Sequence, residues 1–210
     1  MGYQLPPPLV LMLGGTSLTA GRLATPDNPW TSYLLRAMRA HPDCKGEVVI
    51  INTGKGSQTS NFGATQSGLF APLKPSHVLM EDFGINDCAI GPVSIEQATA
   101  NFNTMCANYR AANQDVVIVH QTMSPASAGD ANRTNLAEYY DNGTANAAIN
   151  DVLTIDNYAS WPKPLQTAQT VAGDDLHPLW IGTGPVDAFA AYSYPNIWAW
   201  AQQAMADYWG

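Results

Sequence analysis

The chain has 210 residues, of which 46% are hydrophobic and 12% charged, and its formal net charge is −8. That length fits one domain, residues 1–210, around one continuous core. Nine Lys and Arg in all, scattered along the chain, argue against nucleic acid or an anionic membrane surface as the partner, because both require clustered positive charge.

No apolar run approaches the roughly 18 residues that cross a bilayer. The first residues carry no basic n-region, and Pro6-Pro7-Pro8 stands where a signal peptide is helical, so no secretory signal is expected. Cys44, Cys88 and Cys106 are too few for a disulfide framework and are expected as reduced thiols. These features fit a cytoplasmic protein or a component of a virion or secreted complex.

Along the chain, strand and helix patterns alternate. Leu9 to Leu13 is a continuous apolar run ending at Gly14-Gly15, as in a strand buried on both faces. Pro29 to Ala40 reads as a helix with Trp30, Tyr33, Leu34, Ala37 and Met38 on one face. Val48 to Ile51 is the second strand, followed by a turn with Gly54 and Gly56. Val78 to Met80 begins the third, which ends near Gly84. Ser94 and Gln97 form a capping-box pattern at the start of a long helix. Val116 to Val119 is the fourth strand. Leu136 to Leu153 reads as a helix interrupted at Gly143, with a fifth strand near Ile155 and a closing helix from Asn196 to Tyr208.

Apolar strands alternating with amphipathic helices predict a three-layer α/β/α sandwich with a parallel, flavodoxin-like sheet of about five strands. Sites in such sheets lie at the carboxyl ends of the strands. That rule selects Gly14 to Ser17, Asn52 to Ser57, Gly84 to Asp87, and His120 to Ser124. In the first segment, glycines permit a sharp turn and a hydroxyl follows at once; an ordinary Gly/Thr/Ser turn reads the same. In the third, Asn86 offers an amide N–H that stabilises negative charge without titrating, or forms an Asx turn. Near the C-terminus, Gly173-Asp174-Asp175-Leu176-His177-Pro178 places a carboxylate within reach of an imidazole, where it can fix the tautomer of a general base. The residues alone leave both Asp174 and Asp175 open as that carboxylate.

These pieces, in this order, resemble the SGNH-hydrolase family, the GDSL-like lipases and esterases. Gly15-Thr16-Ser17-Leu18 is similar to its Gly-Asp-Ser-Leu block, with Thr16 in place of the family Asp. Gly84-Ile85-Asn86-Asp87 is similar to its Gly-x-Asn-Asp block, and Asp174-Asp175-Leu176-His177 to its Asp-x-x-His block. The glycine block is less regular: Asn52-Thr53-Gly54-Lys55-Gly56-Ser57 leaves Gly56 and Ser57 both open as the oxyanion position. The resemblance implies a Ser17, His177, Asp174 triad, with an oxyanion hole from the N–H of Ser17, the N–H of Gly56 or Ser57, and the Asn86 side chain. It implies acyl transfer to water with no metal or organic cofactor.

Asp87 and His120 are further candidates for the substrate pocket, because each ends a block at the same rim. Cys88 has no basic neighbour in sequence and reads as a small buried residue. The terminal aromatics, among them Trp198, Trp200, Tyr208 and Trp209, read as packing of the closing helix rather than a sugar platform. The expected function is a serine esterase for short acyl esters, such as O-acetyl groups on carbohydrate. The same triad would serve a thioesterase or lysophospholipase. The fold would also serve a non-catalytic carbohydrate-binding or structural module of a viral or secreted assembly.

Overall fold

The computed structural model describes residues 5–21, 30–125, 131–163, 177 and 188–210. The first apolar run forms β1 (Leu9–Gly14), which pairs in parallel with β2 (Val48–Asn52) on one side and β3 (His77–Glu81) on the other. β3 continues to β4 (Val117–Gln121), and β4 to β5 (Leu153–Ile155), all parallel. The sheet order is β2-β1-β3-β4-β5, so β1 is interior and flanked by the strands that follow it.

The period of two along each strand divides the core between two faces. Leu9, Leu11, Leu13, Leu79 and Val119 belong to one cluster, covered by α2 (Trp30–Ala40) and α9 (Tyr194–Trp209). Met12, Val78, Met80 and Ile118 belong to the other, packed by α5 (Ile95–Ala112). The result is a three-layer α/β/α sandwich. Each fully buried Leu or Met contributes about 1.5–3 kcal/mol.

The long helix starts as its capping pattern predicts: the Ser94 hydroxyl accepts a 3.2 Å bond from the Gln97 amide. Two expectations are corrected. Gly143 does not interrupt its helix; α6 runs unbroken over Leu136–Ile149. The glycine is there because a Cβ at this position would collide with Asp82 Oδ2 and stand 2.9 Å from His120 Nε2. The second is α3 (Ser60–Phe70), which sequence reading does not predict. Its buried face is Ser60, Gly63 and Ser67 rather than an apolar stripe. Asn101 and Asn108 of α5 donate 2.8 Å bonds to the Ser60 and Ser67 hydroxyls, so the two helices join through polar side chains.

The aromatics of α9 pack at the amino ends of the strands, opposite the selected loops. His77, the first residue of β3, meets Trp200 and Tyr208 edge-on, with centroids 6.2 and 6.1 Å away. Tyr208 and Trp209 donate 3.0 Å bonds to the carbonyls of Pro8 and Pro7. Burial pushes the His77 imidazole down to about 4, against a partial opposing pull from Asp207. The three thiols form no disulfide. Among the described residues, no helix is long and apolar enough to cross a membrane.

Candidate active site

The turn after β1 passes directly into α1 (Ser17–Ala20). Thr16 caps this short helix, its hydroxyl oxygen accepting a bond from the Leu18 amide. Ser17 is therefore the first helical residue, in a turn that places its side chain beside His177. The Ser17 Oγ lies 2.8 Å from His177 Nε2 across 160 residues of sequence, and both side chains are buried. A hydroxyl at this distance from an imidazole nitrogen can transfer its proton as it attacks an electrophile. Asp174 and Asp175 lie outside the described residues.

The loop after β2 is laced onto this turn. Thr53 N–H donates to Leu13 O at 2.8 Å, Lys55 N–H to Gly15 O at 3.0 Å, and the Asn52 amide to Thr19 O at 2.9 Å. Gly54 permits the contact: a Cβ there would stand 2.5 Å from the Ala20 backbone nitrogen. Beyond it, Ser57 has φ +59°, in the left-handed region that favours glycine. The backbone N–H groups of Gly56 and Ser57 make no hydrogen bond to described residues.

The third block forms α4 (Gly84–Asp87). Asn86 is buried, and one of its two amide hydrogens is committed to Gln58 O at 2.8 Å. That bond fixes the side chain against the β2 loop and leaves the second hydrogen to donate elsewhere. Asp87 accepts a 2.8 Å bond from the Ser60 amide, at the start of α3, and burial raises its carboxyl to about 6. His120 is buried with Nε2 2.8 Å from Asp82 Oδ2, while Oδ1 accepts from the Gly84 amide at 2.7 Å. Asp87 and His120 are thus both engaged beneath the rim, each supporting a neighbouring element. Arg133 Nε donates to Ile85 O at 2.6 Å, which brings the segment after β4 onto α4.

One residue of the site escapes sequence reading. Glu81 ends β3 fully inside the protein, and its carboxylate grips the turn that carries Ser17. It accepts from the amides of Thr16 and Thr19 at 3.0 and 2.9 Å and from the hydroxyls of both threonines. Burial raises its pKa to about 7, although all four bonds pull the other way. The available signal was an acidic residue prolonging the wholly apolar Val78-Leu79-Met80 run.

Residues 14–182 match the sequence profile of the GDSL-like lipase/acylhydrolase family. The chain belongs to that family. It is a serine ester hydrolase of the SGNH, GDSL-like type. No curated protein matches this GDSL-like hydrolase by sequence. Solved structures share its fold at low identity. A lipase/acylhydrolase from Enterococcus faecalis is 21% identical, with TM-score 0.70, covering 94% of this chain and 96% of that one. Axe2, an acetylxylan esterase from Geobacillus stearothermophilus, is 18% identical, with TM-score 0.67 and coverage of 97% and 96%. The psychrotrophic esterase EstA from Pseudoalteromonas sp. is 16% identical, with TM-score 0.64 and coverage of 95% on both sides.

Proposed function

We propose that this GDSL-like hydrolase is a short-acyl esterase using Ser17 as nucleophile and His177 as base, and that O-acetyl groups on carbohydrate are its substrate class. The observation that carries the reading is the 2.8 Å approach of Ser17 Oγ to His177 Nε2 at the carboxyl end of an interior parallel strand. His177 takes the Ser17 proton as Oγ adds to the ester carbonyl. The tetrahedral oxyanion is held by the Ser17 N–H, a backbone N–H at Gly56 or Ser57, and the second Asn86 amide hydrogen. Each such donor contributes about 2.7–4 kcal/mol to the transition state. His177 then returns the proton to the departing alcohol oxygen. Water, deprotonated by the same nitrogen, releases the carboxylic acid from the acyl-enzyme. Asp174 is the residue assigned to orient His177, on the strength of the Asp-x-x-His resemblance. The acetyl-carbohydrate part draws on the fold shared with an acetylxylan esterase.

The test is hydrolysis of p-nitrophenyl esters from acetyl to octanoyl by the protein and by Ser17→Ala. The expected result is fastest turnover of acetate and a fall in kcat of about 10³-fold or more in the folded variant. Equal rates in both proteins would refute the assignment of Ser17. A maximum at octanoyl would overturn the short-acyl reading in favour of a thioesterase or lysophospholipase.

A further inference from the structure

We infer that Glu81 is the positioning residue of the nucleophile turn, and that its ionised carboxylate holds Ser17 in attack geometry. This rests on the reading of Ser17 as nucleophile. The argument comes from the direction of each bond. Thr16 Oγ1 accepts from the Leu18 amide, so its single hydrogen is free to donate to Glu81 Oε1. Thr19 donates both its amide and its hydroxyl to Oε2, and the Thr16 amide donates there too. The two amides require an acceptor at Oε2, and with both hydroxyls donating as well, only the carboxylate accepts at both oxygens without donating.

The clamp also decides which amide stays available. Thr16 N–H and Thr19 N–H go to Glu81, Leu18 N–H goes to Thr16, and Ala20 N–H goes to Thr16 O. The Ser17 N–H is left without a partner among the described residues. Gly15 completes the fit, since a Cβ there would collide with both Glu81 and Thr19. The resemblance has an Asp beside the nucleophile, where this chain has Thr16. Here the carboxylate arrives from the neighbouring strand, 65 residues away.

Protonating Glu81 turns one acceptor oxygen into a donor facing Thr16 Oγ1, whose own hydrogen then has no acceptor. No basic side chain forms an ion pair with Glu81 among the described residues. The titratable groups around it are Asp82, the residue that follows it, Asp87 of α4, Tyr140 of α6, and His120 of β4 behind Asp82. His177 approaches α1 through Ser17. With its pKa raised to about 7, Glu81 changes state inside the working range of a histidine base.

The experiment is the pH dependence of kcat/KM for p-nitrophenyl acetate in the wild type and in Glu81→Gln, which reproduces the protonated hydrogen-bond pattern. We expect the ratio of wild type to variant to be near 1 at pH 5.5 and to rise about tenfold by pH 8.5, midway near pH 7, with KM unchanged. A ratio flat with pH would overturn the inference, as would a variant equal to wild type at pH 8.5. A second measurement uses the wild type alone: the NMR titration of the Glu81 side-chain carboxyl beside that of the Ser17 amide. The two should move with one midpoint near 7, and a Ser17 amide indifferent to that titration would refute the clamp. Activity retained in Ser17→Ala would sink the nucleophile reading instead, while leaving the NMR coupling to stand or fall separately.

Discussion

Gly143→Ala is a sharp probe of how the rim is supported. In an exposed helix interior this change stabilises by about 0.8–1.0 kcal/mol, because alanine loses less backbone entropy. Within α6 the added methyl would occupy the space of Asp82 Oδ2 and stand 2.9 Å from His120 Nε2. Asp82 must then swing away from two partners, the Gly84 amide at 2.7 Å and His120 at 2.8 Å. Hydrogen bonds to a charged group are worth about 1.5–3 kcal/mol each, so losing both outweighs the helix gain by about 2–5 kcal/mol. At about 2–4 °C per kcal/mol for a chain of this size, Tm falls by about 4–20 °C. Thermal and urea unfolding, followed by circular dichroism and tryptophan fluorescence, measure this directly. The double variant with Asp82→Ala should show a smaller added loss from the methyl, because the clash is gone. A Gly143→Ala protein as stable as wild type would refute the claim that the glycine exists to admit the Asp82–His120 pair.

Two further outcomes are expected. Asn86→Ala should lower kcat for p-nitrophenyl acetate by about 10²–10³-fold with KM nearly unchanged, the signature of a lost oxyanion donor; a fall of less than threefold would remove Asn86 from that role. His77 has a folded pKa of about 4 against an ordinary 6.5, so the unfolded chain binds its proton more readily. Its contribution is fully present above pH 6.5 and is lost as pH falls towards 4, about 3 kcal/mol in all. Glu81 and Asp87 titrate in the same range, in the opposite sense, so urea unfolding of wild type must be compared with His77→Phe. The gap between the two stabilities should narrow on acidification, and parallel curves would exclude His77 as the source.

What was legible in the sequence was whatever a period or a short block encodes. The runs at Leu9, Val48 and Val117 are strands because continuous apolar residues suit a strand covered on both faces. The capped stripe from Ser94 is a helix for equally local reasons. Ser17 and His177 stood out because each sits in a turn of unusual composition. The helix α3 did not, since Ser60, Gly63 and Ser67 bury a polar face that only the asparagines of α5 explain. The role of Gly143 depends on Asp82, which is distant in sequence. Glu81 was hidden for the same reason: its four donors belong to Thr16 and Thr19, and nothing local to β3 announces them.

The interior place of β1 has a consequence for how the protein acquires activity. The turn at Ser17 is braced by the loop that follows β2 and by Glu81 at the end of β3, and its imidazole partner comes 160 residues later. No contiguous fragment that stops short of His177 contains the Ser17–His177 pair together with its braces. Long-range parallel pairing is also the slow part of assembling such a sheet, because loop closure precedes the contacts that reward it. Recovery of hydrolysis after dilution from denaturant is therefore a late event, trailing the return of helical signal. A nascent chain remains chemically silent towards esters until nearly all of it is in place.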